Sequence, residues 1–274
     1  MTDMDDAWFE LNRTWWDERV AVHVDSDFYG VDRFLAGSTP LREYEIEEAG
    51  DVTDLDLVHL QCHFGMDTLG WARLGARVVG VDLSEPAILA ARELAGRAGL
   101  EATFEVANVY DAPVTLRGQQ FDRVYTGIGA LCWLPDVDAW ARVVAELLRP
   151  GGRVHLVEFH PLTHWSLSET DLTVKYSYFH EGPWVWEDDP DEPSDYADPT
   201  ATFEHTDTVE WNHGIGAIVT ALAHVGMRIE SLVERPTCFM QRWPFMVEVA
   251  EQDWRIPPEL PQIPLSFSLL AVKD

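Results

Sequence analysis

Apolar and polar positions follow two periods along this chain. Between residues 5 and 23, Trp8, Phe9, Leu11, Trp15, Trp16 and Val20 recur at helical spacing, which predicts an amphipathic helix. The stretch 24–40, with Gly30, Gly37 and Pro40, reads as a loop, and 41–49 as a short helix stopped by Gly50. From residue 57 the rhythm becomes regular. Short runs at 57–61, 77–82, 103–107, 121–126 and 153–159 predict strands. Helical patterns lie between them at 67–74, closed by Gly75, from Ser84 to about Ala98, and at 135–148. Ser84 is placed to cap its helix, and Pro86 stands in the first turn, where its missing N–H costs nothing. Strands alternating with helices at this spacing predict βαβ units and a parallel sheet, which takes ligands at the carboxyl ends of its strands.

Residues 160–210 break the rhythm with prolines, acids and the aromatics Trp165, Tyr176, Tyr178, Phe179, Trp184, Trp186, Tyr196 and Phe203. Two strand-like pieces, 173–180 and 201–210, flank an irregular loop. So long an insertion after a central strand reads as a lid over a substrate. A helix at 211–225, a strand at 227–234, a Pro- and Trp-rich loop at 235–264 and a final strand at 264–273 complete the pattern.

Composition narrows the function. The 274 residues carry 48 acids against 19 bases, a net charge of −29, and that field repels phosphate backbones and anionic membranes. Neither a nucleic acid nor a membrane is therefore expected as a partner. No apolar run approaches the roughly 20 residues of a membrane helix. The acidic start, Met-Thr-Asp-Met-Asp-Asp, is unlike a secretory signal, so a cytoplasmic location is expected. The three cysteines, Cys62, Cys132 and Cys238, form no Cys-x-x-Cys pair, which argues against a disulfide framework or a cysteine zinc site.

The chemistry concentrates where the first parallel strand ends. His59-Leu60-Gln61-Cys62-His63-Phe64-Gly65-Met66-Asp67 leaves that strand and enters a helix, whose N-terminus offers unpaired N–H groups. Gly65 lets backbone approach a ligand. Asp82 ends the next strand, where an acid accepts both hydroxyls of a ribose. The dinucleotide pattern Gly-x-Gly-x-x-Gly and a Gly-Lys-Ser/Thr loop are both missing, so a nucleoside without phosphates fits better than NAD.

With these residues the chain resembles the class I S-adenosylmethionine-dependent methyltransferases, over about residues 40–274. Gln61 to Gly65 stand at the first cofactor motif, Asp82 at the ribose acid, and Ala107-Asn108-Val109 at the loop beside the adenine. Phe121-Asp122 to Gly127 match the segment after the fourth strand, and Leu148-Arg149-Pro150-Gly151-Gly152 the turn before the fifth. In the family's acid-x-Gly-x-Gly, Gln61 replaces the acid and His63 a glycine. The resemblance implies an α/β, Rossmann-like fold: a mostly parallel seven-stranded sheet flanked by helices. It implies an N-terminal helical cap at 1–50 and a methyltransferase domain at 51–274, with the lid at 160–210. The implied cofactor is S-adenosylmethionine, held by Gln61, Cys62, His63, Gly65, Asp82, Leu83, Asn108, Val109 and Thr126. The implied reaction is methyl transfer to an O, N or C atom of a small organic molecule, by a monomer or homodimer. A non-catalytic module binding S-adenosylmethionine or a nucleotide is the alternative.

Ten histidines supply candidate bases. His160 follows the fifth strand and His213 opens the next helix, so both are expected at the ligand rim as catalytic residues. With His205 they form a conceivable metal set, but no metal is assigned, because no His-x-x-x-His spacing exists.

Overall fold

Period-two alternation in the central strands sorts their side chains to two faces of one sheet, and each face recruits its own helices. The computed structural model describes residues 3–187 and 195–274. In chain order it runs α1 (Asp3–Asp25), α2 (Val31–Leu35), α3 (Glu43–Ala49), β1 (Asp56–Leu60), α4 (Met66–Arg73), β2 (Arg77–Asp82) and α5 (Glu85–Ala98). Next come β3 (Ala102–Val106), α6 (Ala112–Thr115), β4 (Phe121–Thr126), α7 (Val137–Leu147) and β5 (Leu148–Phe159). The remainder is β6 (Pro183–Trp186), β7 (Thr208–Trp211), α8 (Ile215–His224), β8 (Met227–Arg235), β9 (Thr237–Cys238), β10 (Val247–Ala250), β11 (Asp253–Arg255) and β12 (Ser266–Lys273).

Seven strands form the central sheet in the order β3-β2-β1-β4-β5-β12-β8. The first five are mutually parallel, and β12 slots antiparallel between β5 and β8. Val58, Leu60, Val124, Val154, Leu156, Phe267 and Leu269 meet Trp140 and Val144 of α7 and Ile218 and Leu222 of α8 on one face. On the other, Phe104 packs with Ile88, Ala91 and Leu94 of α5, while Leu57, Val78, Tyr125 and Val157 surround Trp71 of α4. Among the described residues no helix is long and apolar enough to cross a membrane.

Trp211, expected to open a helix, ends β7, and β5 already begins at Leu148; the larger departures from the expected elements lie in three places. The stretch 24–40 contains α2, anchored by Phe34, which packs against the α5 cluster. The strand expected at 173–180 does not form. Glu169 there accepts from Lys175 Nζ at 2.8 Å and Tyr176 Oη at 3.0 Å, folding the segment back locally. The strand lies later, after Gly182 at φ +96°, where β6 pairs with β7. The loop 235–264 contains a small sheet, β10-β11-β9, beside the buried Trp243. Of the expected lid at 160–210, residues 188–194 lie outside the described residues.

Candidate functional site

Where β1, β2, β4 and β5 end, a cavity of about 1010 Å³ opens, and α1 lies along it. The loop from β1 is wound tightly. Gln61 (φ +57°) and His63 (φ +49°) hold the left-handed conformation that costs a side-chain-bearing residue, and Gly65 shares it at +75°. A Cβ on Gly65 would come within 2.6 Å of the Phe104 ring, so only glycine fits there. Three bonds hold the winding. Cys62 N–H donates to Val81 O (3.0 Å), His63 N–H to Asp82 Oδ2 (2.7 Å) and the Gln61 amide to Ala130 O (2.9 Å).

Asp82 is the hub of this end of the cavity. Its Oδ1 accepts from Ser84 N–H at 2.9 Å, and Ser84 Oγ caps α5 by accepting from Ala87 N–H at 3.2 Å. Burial pushes the Asp82 carboxyl up to about 6, opposed by its backbone N–H donors. Beside these backbone donors the carboxylate keeps spare lone pairs at the cavity wall, which suits ribose hydroxyls. Gln61, Cys62, His63, Gly65, Leu83, Asn108 and Val109 line the same cavity. The Asn108 side chain also accepts from Tyr110 N–H at 3.1 Å, fixing the turn that carries it. Thr126 is fully buried in β4 and is not on the wall, and its hydroxyl has no partner among the described residues.

The loop after β4 is set by one carboxylate. Glu158 accepts the N–H groups of Gly129 (2.6 Å), Ala130 (3.0 Å), Leu131 (3.0 Å) and Phe159 (2.7 Å). That clamp presents Ala130 and Trp133 to the cavity. Trp16 of α1 meets Trp133 at 5.3 Å and His63 at 5.1 Å, closing an aromatic wall.

The opposite end is polar. Arg42, Glu45, His59, Asp67 and Tyr125 face it, and Tyr125 Oη donates to Glu45 Oε1 at 2.5 Å. Burial, helped by the Glu45 charge and opposed by Arg42, pushes the Asp67 carboxyl up to about 7. Asp67 makes no hydrogen bond to any described residue, so its carboxyl is available to a ligand. Burial drives His59 down to about 3, which keeps it neutral, with Nδ1 2.8 Å from Thr68 Oγ1.

The two histidines expected at the rim do not line this cavity. His160 turns away from it to Glu234, Nε2 to Oε1 at 2.9 Å, because the period of β5 sends its neighbour Phe159 to the cavity instead. His213 donates from Nε2 to Leu134 O at 2.7 Å and borders a separate pocket of about 20 Å³. His205 pairs with Glu18 at 2.8 Å, so the three do not converge. Sequence reasoning passed over Arg42, Glu45 and Asp67. Asp67 had a signal: it stands in the first turn of the helix that follows the cofactor loop.

Residues 58–154 match the family model described as "Methyltransferase domain". The chain is similar to the ubiquinone biosynthesis O-methyltransferase of Xanthomonas euvesicatoria pv. vesicatoria, 28% identical over 151 residues, or 55% of this chain and 58% of that protein. It thus spans little more than half the length of that relative. The fold is shared with a putative S-adenosylmethionine-dependent methyltransferase from Listeria monocytogenes. That likeness has a TM-score of 0.59 at 18% identity, covering 84% of this chain and 96% of that one. An S-adenosylmethionine-dependent methyltransferase from Mesorhizobium loti also has a TM-score of 0.59, at 23% identity, with 87% and 100% covered. Residues 58–154 thus match a methyltransferase domain, and the fold around them is the one seen in these S-adenosylmethionine-dependent methyltransferases.

Proposed function

We propose that this chain transfers a methyl group from S-adenosylmethionine to a hydroxyl of a small organic molecule. The observation that carries the reading is one continuous cavity with a ribose-accepting carboxylate, Asp82, at one end and an available carboxyl, Asp67, at the other. The relative named for O-methylation supports a hydroxyl acceptor.

S-adenosylmethionine supplies an electrophilic methyl on a sulfonium, whose thioether is already a good leaving group. The protein's work is therefore placement and exclusion of water. Asp82 binds the ribose hydroxyls, and Leu83, Asn108 and Val109 flank the base. Gln61 and Gly65 shape the turn that carries the methionine portion. Trp16, Trp133 and Tyr29 screen the site from water, and aromatic faces tolerate a sulfonium. Asp67 takes the acceptor's proton as the oxygen attacks, with Glu45 and Tyr125 orienting the acceptor. The insertion and α1 cover the bound pair.

Calorimetry with S-adenosylmethionine and, separately, NAD tests the first half. Binding of the former alone is expected, and binding of NAD alone contradicts it. A mass-spectrometric screen for metabolites that gain one methyl tests the second half. A metabolite methylated on oxygen is expected, and N-methylation or an untouched extract contradicts the hydroxyl acceptor.

A further inference from the structure

His164 lines the main cavity, and the proposed reaction leaves it unused. It stands in the wide helical turn Leu162–Ser166 that follows β5. Its backbone N–H donates to His160 O at 2.9 Å, and the hydroxyl of its neighbour Thr163 donates to Pro264 O. The ring lies flat on Phe159, with centroids 4.8 Å apart and planes 7° from parallel. The buried Trp165 meets it at 81°, with centroids 5.0 Å apart. The imidazole is therefore held in place before a ligand arrives.

The stack continues toward the polar end of the cavity. Phe159 stacks on Phe239 at 5.2 Å, and the Arg42 guanidinium lies 5.4 Å from the Phe239 ring. The Arg42 backbone N–H donates to Glu45 Oε2 at 2.7 Å, which ties this wall to the carboxyls of that end. One wall with an apolar middle thus runs from beside Glu45 and Asp67 to His164.

The ring nitrogens of His164 make no hydrogen bond to any described residue. Burial, and after it the Arg242 charge, push the imidazole down to about 3, so it is neutral at neutral pH. Whichever nitrogen holds the proton, a neutral imidazole offers one donor and one acceptor. A phenylalanine would stack on Phe159 as well, without bringing two polar atoms to an apolar wall. A neutral ring supplies no counter-charge, so the group that suits it is itself uncharged: a carbonyl, an amide or a hydroxyl.

We propose that His164 is a specificity-determining residue that hydrogen-bonds an uncharged polar group of the acceptor, remote from the hydroxyl that is methylated. The proposal rests on the acceptor hydroxyl standing at Asp67, and it adds the substrate class. The acceptor is an elongated molecule whose apolar middle lies along Phe239 and Phe159 and whose far end carries a second polar group.

The test starts from the full chain, methyl-labelled S-adenosylmethionine and a metabolite extract. The compound that gains the label is identified, and its unmethylated form is the probe. It is expected to carry an uncharged polar group separated from the methylated atom by an apolar segment, and a compound without one overturns the proposal. His164→Phe keeps the stack and removes both nitrogens. KM for the probe should rise at least about fivefold, the equivalent of one hydrogen bond, with kcat changed less than about twofold. His164→Gln, which restores a donor and an acceptor, should recover part of that loss. For an analogue of the probe lacking the remote group, wild type and His164→Phe should give KM values within about twofold of each other. Calorimetric affinity for S-adenosylhomocysteine should be the same in all three proteins. An unchanged KM for the probe, or an equal rise for the analogue, overturns the contact while leaving methyl transfer intact. Affinity for S-adenosylhomocysteine lost along with KM makes His164 a packing residue and overturns the contact as well. A wild type that labels nothing overturns the functional reading, and the acceptor contact with it.

Discussion

At the scale of single residues, two carboxyls divide the proposed chemistry. Asp82→Ala removes an acceptor for two ribose hydroxyls, charge-assisted bonds worth at most about 1.5–3 kcal/mol each. Affinity for S-adenosylmethionine should drop at least about tenfold in a calorimetric titration, with the thermal midpoint nearly unchanged. Asp67→Asn should leave that affinity intact and cut turnover of the screened acceptor at least about 100-fold, the usual scale for a lost general base. Because only ionised Asp67 takes a proton, turnover should rise with pH through about 7 and level off above it. A flat profile would remove Asp67 from the chemistry. The position of Asp82, at the end of β2 and on the cavity wall, was legible from the sequence because a short apolar run marks the strand and its end. The placement of His160 and His213 was not. One residue of twist at a strand end decides which face a side chain takes, and Phe159 holds the face toward the cavity.

Among elements, α1 does more than its amphipathic pattern announced. Asn12 pairs with both backbone groups of Val209, accepting from N–H at 2.9 Å and donating to the carbonyl at 2.7 Å. This extends β7 with a side chain, and Trp8 packs on Trp211 beside it at 5.5 Å. Asn12→Ala strands two buried backbone groups and should cost about 2–4 kcal/mol in urea unfolding. No change would mean that α1 is only loosely held. From 57 to 159 the sequence read well, since long βαβ repeats carry strong periodicity and a clear cap such as Ser84. It read poorly in 160–264. There, strands of two to four residues, β6, β7, β9, β10 and β11, are too short to show a period. They are set by cross-strand partners distant in sequence.

For the whole molecule, charge governs stability. At −29 the folded state repels itself, so moderate salt should raise the melting temperature by screening that repulsion. Buried carboxyls add a pH dependence of definite sign, and Asp67 and Glu210 are two of them. Burial pushes Asp67 up to about 7, and it pushes Glu210 up to about 8 against a hydrogen bond from Trp186. The folded chain keeps protons that the unfolded chain releases. Their stabilisation is complete below the ordinary values of 3.8 and 4.5, and it is lost as pH rises through about 7 and about 8. The melting temperature of the wild type should therefore fall more steeply over that window than that of Asp67→Asn/Glu210→Gln, and parallel curves would refute the assignment. In the proposed reaction one cavity serves donor and acceptor together. Its most direct test is incubation of the purified chain with methyl-labelled S-adenosylmethionine and a metabolite extract, read by mass spectrometry, beside Asp82→Ala. The account predicts a labelled small molecule and matching S-adenosylhomocysteine from the wild type, with both much reduced in the variant. Equal label from both proteins, or none from either while the cofactor binds, would contradict it.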